Sequence, residues 1–239
     1  MWYKVKRILV GDKQVRPRSW SPSANTLLYL PLQSDIVDKS WQSTTRVFSS
    51  SWISYTTVGW VPSIHIGTTW WLLLTTPNPL VISNTANQTI SVLVYVKSQS
   101  SSSSRKILEF AIQNKEHTML HLSSNWYYWY YWESAWSVAT PSWSIIANQR
   151  VHIVATTDSS SKKIYINWSL SASWAWSNTP RWIRPNSTEQ SQTIFNVRWW
   201  LTGSQWLNWN ARELIIEDRV WSADDVSKYY TWIKNKLGF

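Results

Sequence analysis

Twenty-two tryptophans stand against five glycines in 239 residues, and no other feature of the chain constrains its folding as much. Glycine normally supplies roughly 7% of residues, because tight turns need positions that reach positive φ without a Cβ penalty. Here the tryptophans occupy the places where turn chemistry asks for glycine. Asn125-Trp126, Asn167-Trp168 and Asn208-Trp209 each follow or separate alternating apolar segments, and Asn-Gly at such a place is the strongest short-range hairpin signal. Trp70-Trp71 and Trp199-Trp200 form doublets at segment edges, where Gly-Gly would free the backbone. A Trp reaches positive φ only at a steric cost. The pattern points to an alternative genetic code, in which UGA codons meant as Gly are written here as Trp. The competing reading is a truly Trp-rich aromatic surface. Trp221 and Trp232 fit their places as genuine tryptophans. The first precedes Ser222, where an apolar residue can staple a helix start, and the second lies three residues after Tyr229 in the same helical pattern.

The chain has no cysteine and four histidines, which excludes a disulfide framework, a thiolate zinc site and a Cys nucleophile. The longest apolar run, Ile90 to Val96 with Ser91 inside it, is far below the 18 or so residues of a membrane span. Lys4, Lys6 and Arg7 are followed only by Ile8, Leu9 and Val10, too short for a secretory segment. A soluble protein without a visible signal peptide is expected.

Residues 1–24 read as a basic N-terminal hairpin and linker bracketed by Pro17 and Pro22, and residues 25–239 as one domain. Short strand candidates recur through that domain: 44–48, 63–66, 71–74, 89–97, 105–113, 117–122, 151–157, 162–167, 193–198 and 211–217. Only the end reads as helix. There Ser222 is a cap, Asp225 completes a capping box, and Val226, Tyr229, Tyr230 and Ile233 form an apolar face. This order predicts an all-β fold, an antiparallel two-sheet jelly-roll sandwich with a short C-terminal helix.

Three segments carry a family resemblance. Leu27-Leu28-Tyr29-Leu30-Pro31-Leu32 with Asp35, Asp38, Ser40 and Trp41 resembles the opening of laminin-G-like, concanavalin A-like lectin-glucanase domains, with Trp41 in place of a Gly. Arg150 to Asp158 running into Lys163-Ile164-Tyr165-Ile166-Asn167-Trp168 is similar to the paired strands that end in Tyr-Val-Asn-Gly in that family. Leu207 to Ile216 followed by Arg219 to Val226 looks like its closing strand and helix. The resemblance spans residues 26 to about 232. Arg150 and Arg212 depart from it, standing where the family usually has Trp and Asp. It implies a concanavalin A-like jelly roll, and its motifs bring no ligand specificity.

Candidate chemistry is sparse. Concanavalin-like glycosidases use a Glu-x-Asp-x-Glu strand, and here Glu213 and Glu217 flank Ile215 on one strand face. Their spacing of about 13 Å along the strand misses the 5 to 5.5 Å or so of a retaining pair, so both read as solvated strand residues and no catalytic residue is assigned. His117 and His121 have a helical chelate spacing on a predicted strand, where it is too long for one ion. His65 and His152 have no Ser or Asp partner visible in sequence. Asp35, Asp38 and Asp158 could offer oxygen ligands to Ca²⁺, a metal some laminin-G-like domains hold at the rim; their plainer reading is turn carboxylates. Tyr127, Tyr128, Tyr130 and Tyr131 form the densest aromatic stretch, with outward rings able to stack on a sugar.

The net charge of +10 gathers at Lys4, Lys6, Arg7, Lys13, Arg16 and Arg18 and at Lys228, Lys234 and Lys236. The aromatic interleaving of single-strand binders is missing there, so no nucleic acid is expected. The expected function is a non-catalytic recognition module, with adhesion or lectin character, that binds a glycan or a surface protein. Its setting would be a cell-surface, extracellular or virion assembly. The alternative is a purely structural β-sandwich of a tail or envelope; a glycoside hydrolase ranks third.

Overall fold

Short apolar segments separated by polar turns pair in antiparallel fashion along nearly the whole chain, as their spacing requires. The computed structural model describes residues 9–10, 13–14, 20–40, 47–51, 54–66, 71–75, 87–99, 105–112, 116–122, 128–132, 136–141, 148–158, 160–175, 190–194 and 207–239. The first strands are β1 (Leu9–Val10), β2 (Lys13–Gln14), β3 (Thr26–Leu30), β4 (Val47–Ser51), β5 (Ser54–Val58), β6 (Val61–Ile66), β7 (Trp71–Thr75), β8 (Gln88–Gln99) and β9 (Arg105–Ile112). They continue with β10 (Glu116–Leu122), β11 (Tyr128–Trp132), β12 (Trp136–Ala139), β13 (Gln149–Thr157), β14 (Ser161–Ile166), β15 (Ser169–Ala175), β16 (Gln190–Ile194) and β17 (Leu207–Glu217). Helix α1 (Ala223–Leu237) closes the order.

Among the described residues β1 and β2 pair only with each other, Leu9 with Gln14 and Val10 with Lys13. The rest make two antiparallel sheets. One runs β12-β11-β10-β9-β16-β7-β4, the other β15-β14-β13-β8-β17-β6-β5, with β3 also paired to β17. The all-β sandwich with one C-terminal helix is therefore confirmed.

Between the sheets lies the main core. Leu28, Leu30, Val92, Val94, Val96, Val151, Ile153, Ile164, Leu214 and Ile216 meet Leu120 of β10 and Val138 of β12. A second core forms on the other face of the eight-stranded sheet. There Tyr29, Leu93, Val154, Tyr165 and Ile215 pack against Trp221 and the helix residues Val226, Tyr229 and Ile233. Because α1 covers that outer face, β8, β13 and β17 are buried on both sides, which explains the unbroken apolar runs 92–96, 153–155 and 214–216 within them. Trp20, within the predicted linker, packs against this second core.

The helix starts as its sequence demands. Ser222 Oγ accepts from the Asp225 N–H at 3.1 Å, and Asp225 Oδ2 accepts from the Ser222 N–H at 2.9 Å, a reciprocal cap. Gly238, with φ 71°, ends it, its N–H donating to Lys234 O at 2.8 Å. Trp221 is 1% exposed, lies 5.1 Å from the Tyr229 ring and packs in one cluster with Val226, the position a staple uses.

The turns place the suspect tryptophans differently. Among the described non-glycine residues, positive φ occurs at Leu32, Trp60, Asn148 and Asn167. Val58 pairs with Val61 across Gly59 and Trp60, whose φ values are 49° and 70°. Two successive positive values mark a type I′ hairpin. Trp60 is 95% exposed there, an indole in a place that suits glycine. In the β14–β15 turn, however, Asn167 carries the positive φ of 59° and Trp168 does not. Asn tolerates that region, and its Oδ1 also accepts from the His152 N–H at 3.1 Å. Trp209 is not in a turn; it lies inside β17, where the pairing with β8 shifts between Asn208 and Trp209. Trp41, Trp70, Trp126, Trp199 and Trp200 lie outside the described residues.

Candidate functional site

Tyr127 lies outside the described residues. Tyr128, Tyr130 and Tyr131 fall in β11, with Tyr130 in register with both Leu120 of β10 and Val138 of β12. The structure does not bring the three candidate metal carboxylates together. Asp38 is buried, and its Oδ1 accepts from the backbone N–H groups of Tyr29 at 3.1 Å and Ser40 at 2.9 Å. Asp158 shapes the β13–β14 loop: its Oδ1 accepts from the Ser160 and Ser161 N–H groups at 2.7 and 2.6 Å. Burial pushes the Asp158 carboxyl up, but these bonds and the two serine hydroxyls outweigh it and hold the carboxyl below its usual range. Asp35 pairs with Lys39 at 3.3 Å, leaving one shielded oxygen without a partner. Among the described residues no group of three or more His, Asp or Glu side chains could hold an ion, and one spare oxygen is far from the six to eight or so that calcium takes.

Glu213 and Glu217 correct the sequence reading. They share the strand face of Ile215, yet that face lies under Trp221 and α1, and the two residues are 2% and 1% exposed. Glu217 Oε1 accepts from the Thr26 hydroxyl at 3.0 Å, and its Oε2 accepts from Arg219 Nε and Trp221 Nε1, each at 2.6 Å. Glu213 Oε1 accepts from the Tyr29 hydroxyl at 2.5 Å. Burial pushes the Glu213 carboxyl up, against the lowering pull of that bond and of Lys236 and Arg212. Neither carboxylate faces a cleft that a substrate enters. Their burial was not legible from spacing, because it depends on a helix that the strand pattern does not announce.

Arg212 is the extra residue of a bulge: Ala211 pairs with Val94 and Glu213 with Leu93, so nothing opposes the residue between them. Its Nη1 donates to Pro31 O. Arg150, the other departure from the family pattern, donates from Nη2 to Val58 O and to Gly59 O and stands 5.2 Å from the Phe239 ring centroid. Both arginines thus donate to backbone carbonyls of neighbouring segments.

His152 has a serine partner that sequence could not reveal. Ser91 Oγ and His152 Nε2 lie 2.7 Å apart on neighbouring strands β8 and β13. Both are buried, His152 Nδ1 has no partner, and the Tyr229 ring lies 5.2 Å away. Burial holds the imidazole neutral by lowering its pKa to about 4. A hydrolytic Ser–His pair needs an accessible nucleophile and a group that orients the base, and neither is present at this pair. His65 lies in β6, while His117 and His121 lie in β10.

A cavity of about 190 Å³ opens beside α1, lined by Trp20, Arg219, Trp221, Asp225, Lys228, Tyr229 and Trp232. Trp20 lies 5.2 Å from Tyr229 and 5.8 Å from Trp232. Trp20 and Trp232 are half-buried, so part of each ring reaches solvent.

The same two-sheet architecture occurs in solved carbohydrate complexes. Domain 4 of AbnA, a GH43 extracellular arabinanase from Geobacillus stearothermophilus, in complex with arabinotriose, superposes with a TM-score of 0.63 at 16% identity, over 85% of this chain and 97% of that one. What the chain shares with these structures is the β-sandwich fold. The binding domain of botulinum neurotoxin DC, in complex with SialylT, gives a TM-score of 0.65 at 13% identity, over 87% of this chain and 51% of that one. A structure of botulinum neurotoxin type C, whose cell entry depends on two ganglioside molecules, gives 0.64 at 16%, over 90% and 52%. The chain spans about half the length of these toxin chains. No protein-family model and no curated protein sequence matches it. No helix of the described residues is long and apolar enough to cross a membrane.

Proposed function

We propose that the chain is a non-catalytic recognition module that binds carbohydrate. The observation that carries this reading is the two-sheet sandwich shared, over nearly its whole length, with a domain captured around arabinotriose. The burial of Glu213, Glu217, Ser91 and His152 agrees with it, since these acid, base and nucleophile candidates are occupied by packing. A laminin-G-like relationship, display on a cell-surface or virion assembly, and the tyrosine row of β11 as a contact surface belong to the same proposal. So does the alternative genetic code, which the exposed, positive-φ Trp60 supports.

The test is a glycan array and a polysaccharide pull-down with the chain as written and with Trp60→Gly. Saturable binding to at least one glycan supports the module. Its absence in both proteins favours a purely structural sandwich, and sugar release that disappears in Glu213→Gln would instead establish a hydrolase.

A further inference from the structure

The cavity beside α1 brings aromatic rings and spare hydrogen-bonding atoms together. Trp20, Trp221, Tyr229 and Trp232 supply its apolar wall, and Arg219, Asp225 and Lys228 its rim. The rim cations are already matched by carboxylates. Arg219 Nε meets Glu217 at 2.6 Å and its Nη1 meets Asp225 at 3.3 Å, while Lys228 Nζ meets Asp224 at 2.5 Å. With Lys236, whose Nζ lies 4.3 Å from the Trp232 ring centroid, three cations stand against three carboxylates, so the rim offers no excess positive charge to an anion. Among the described residues, Arg219 Nη2 and Asp225 Oδ1 carry no hydrogen bond.

We infer that this cavity is a binding subsite for one uncharged sugar ring, held against the indoles with its hydroxyls shared between Arg219, Asp225 and Lys228. The inference rests on the carbohydrate reading above and adds to it a place and a charge class. A hydroxyl both donates and accepts, which suits a rim holding a spare donor beside a spare acceptor. The C–H face of a sugar is apolar and suits an amphipathic aromatic wall. The size agrees: about 190 Å³ falls below the roughly 300–1,000 Å³ of sites for drug-sized ligands, enough for a single ring of a longer chain.

The experiment measures binding of the full-length chain to arabinotriose and to a neutral-glycan array, with sialyllactose as the anionic comparator, at about 0.05 and 0.5 M salt. The expected result is binding to a neutral glycan that changes less than twofold with salt and weakens about tenfold in Trp232→Ala. Because Trp232 touches Trp20 and Tyr229, that variant is checked for fold by its thermal transition. Lys228→Ala, at an exposed position, provides a second variant with an expected loss of a few fold. Full binding by both variants overturns the subsite and leaves the carbohydrate reading standing. A preference for sialyllactose that fades with salt overturns the charge class. No binding to any sugar overturns the subsite and the carbohydrate reading together.

Discussion

Tyr29, in the first strand of the sandwich, donates its hydroxyl to Glu213 in the last, across 184 positions of sequence and at 2.5 Å. The bond lies under α1, where burial raises the Glu213 carboxyl above its ordinary value and pushes the Tyr29 and Tyr229 hydroxyls up as well. A carboxyl raised in the folded state gives up stability as pH climbs from its unfolded value through its folded one. Glu213→Gln, neutral at every pH, should therefore be more stable relative to the parent at pH 7 than at pH 4, as read by urea titration at both. Tyr29→Phe should cost about 1–3 kcal/mol by leaving a buried acceptor with one donor fewer.

His152 predicts the opposite slope. Its folded pKa of about 4 lies below the ordinary 6.5, so the unfolded chain takes up the proton first. Stability should fall as pH drops from about 6.5 towards 4, by about 3 kcal/mol in total. In His152→Gln, which cannot titrate, that part of the pH dependence should vanish from the thermal transitions.

The tryptophans should divide by environment. Trp60→Gly removes an indole from positive φ and should raise stability by about 1–2 kcal/mol, together with solubility. Trp221→Ala should lower it by about 3–5 kcal/mol, because the ring is buried and its Nε1 bonds Glu217. Codons provide an independent check: UGA at Trp60 and UGG at Trp221. UGG at Trp60 would end the altered-code proposal for that turn.

The α1 cap can be measured separately. Ser222→Ala removes the acceptor for the Asp225 N–H and should cost about 1 kcal/mol, with a matching fall in helical circular dichroism.

Where pattern and environment coincide, the fold was legible. β8, β13 and β17 each carry an apolar run because both faces are covered, and the cap, face and end of α1 all stand in its sequence. The strands that pattern missed were β5, β11, β12 and β15; β11, interior to its sheet, is an unbroken aromatic run with no alternation to read. The other three each end a sheet, where apolar alternation has less to build on; β15, Ser-Leu-Ser-Ala-Ser-Trp-Ala, is largely exposed. The candidate site was less legible. Trp20, Arg219 and Trp232 are far apart or unremarkable in sequence, and only the seating of α1 on the outer sheet face gathers them into one cavity. The Ser91–His152 pair was hidden for the same reason, since the register of two strands 61 residues apart decides it.

Strand β17 lies in the interior of its sheet, joined to β8 on one side and to β6 and β3 on the other, although it follows all the other described strands in the sequence. Until residues 207–217 emerge from the ribosome, three earlier strands wait with open edges, the arrangement most prone to pairing with another chain. The nascent protein thus needs either rapid completion or protection, and premature termination anywhere before β17 leaves half-sheets that have no way to close.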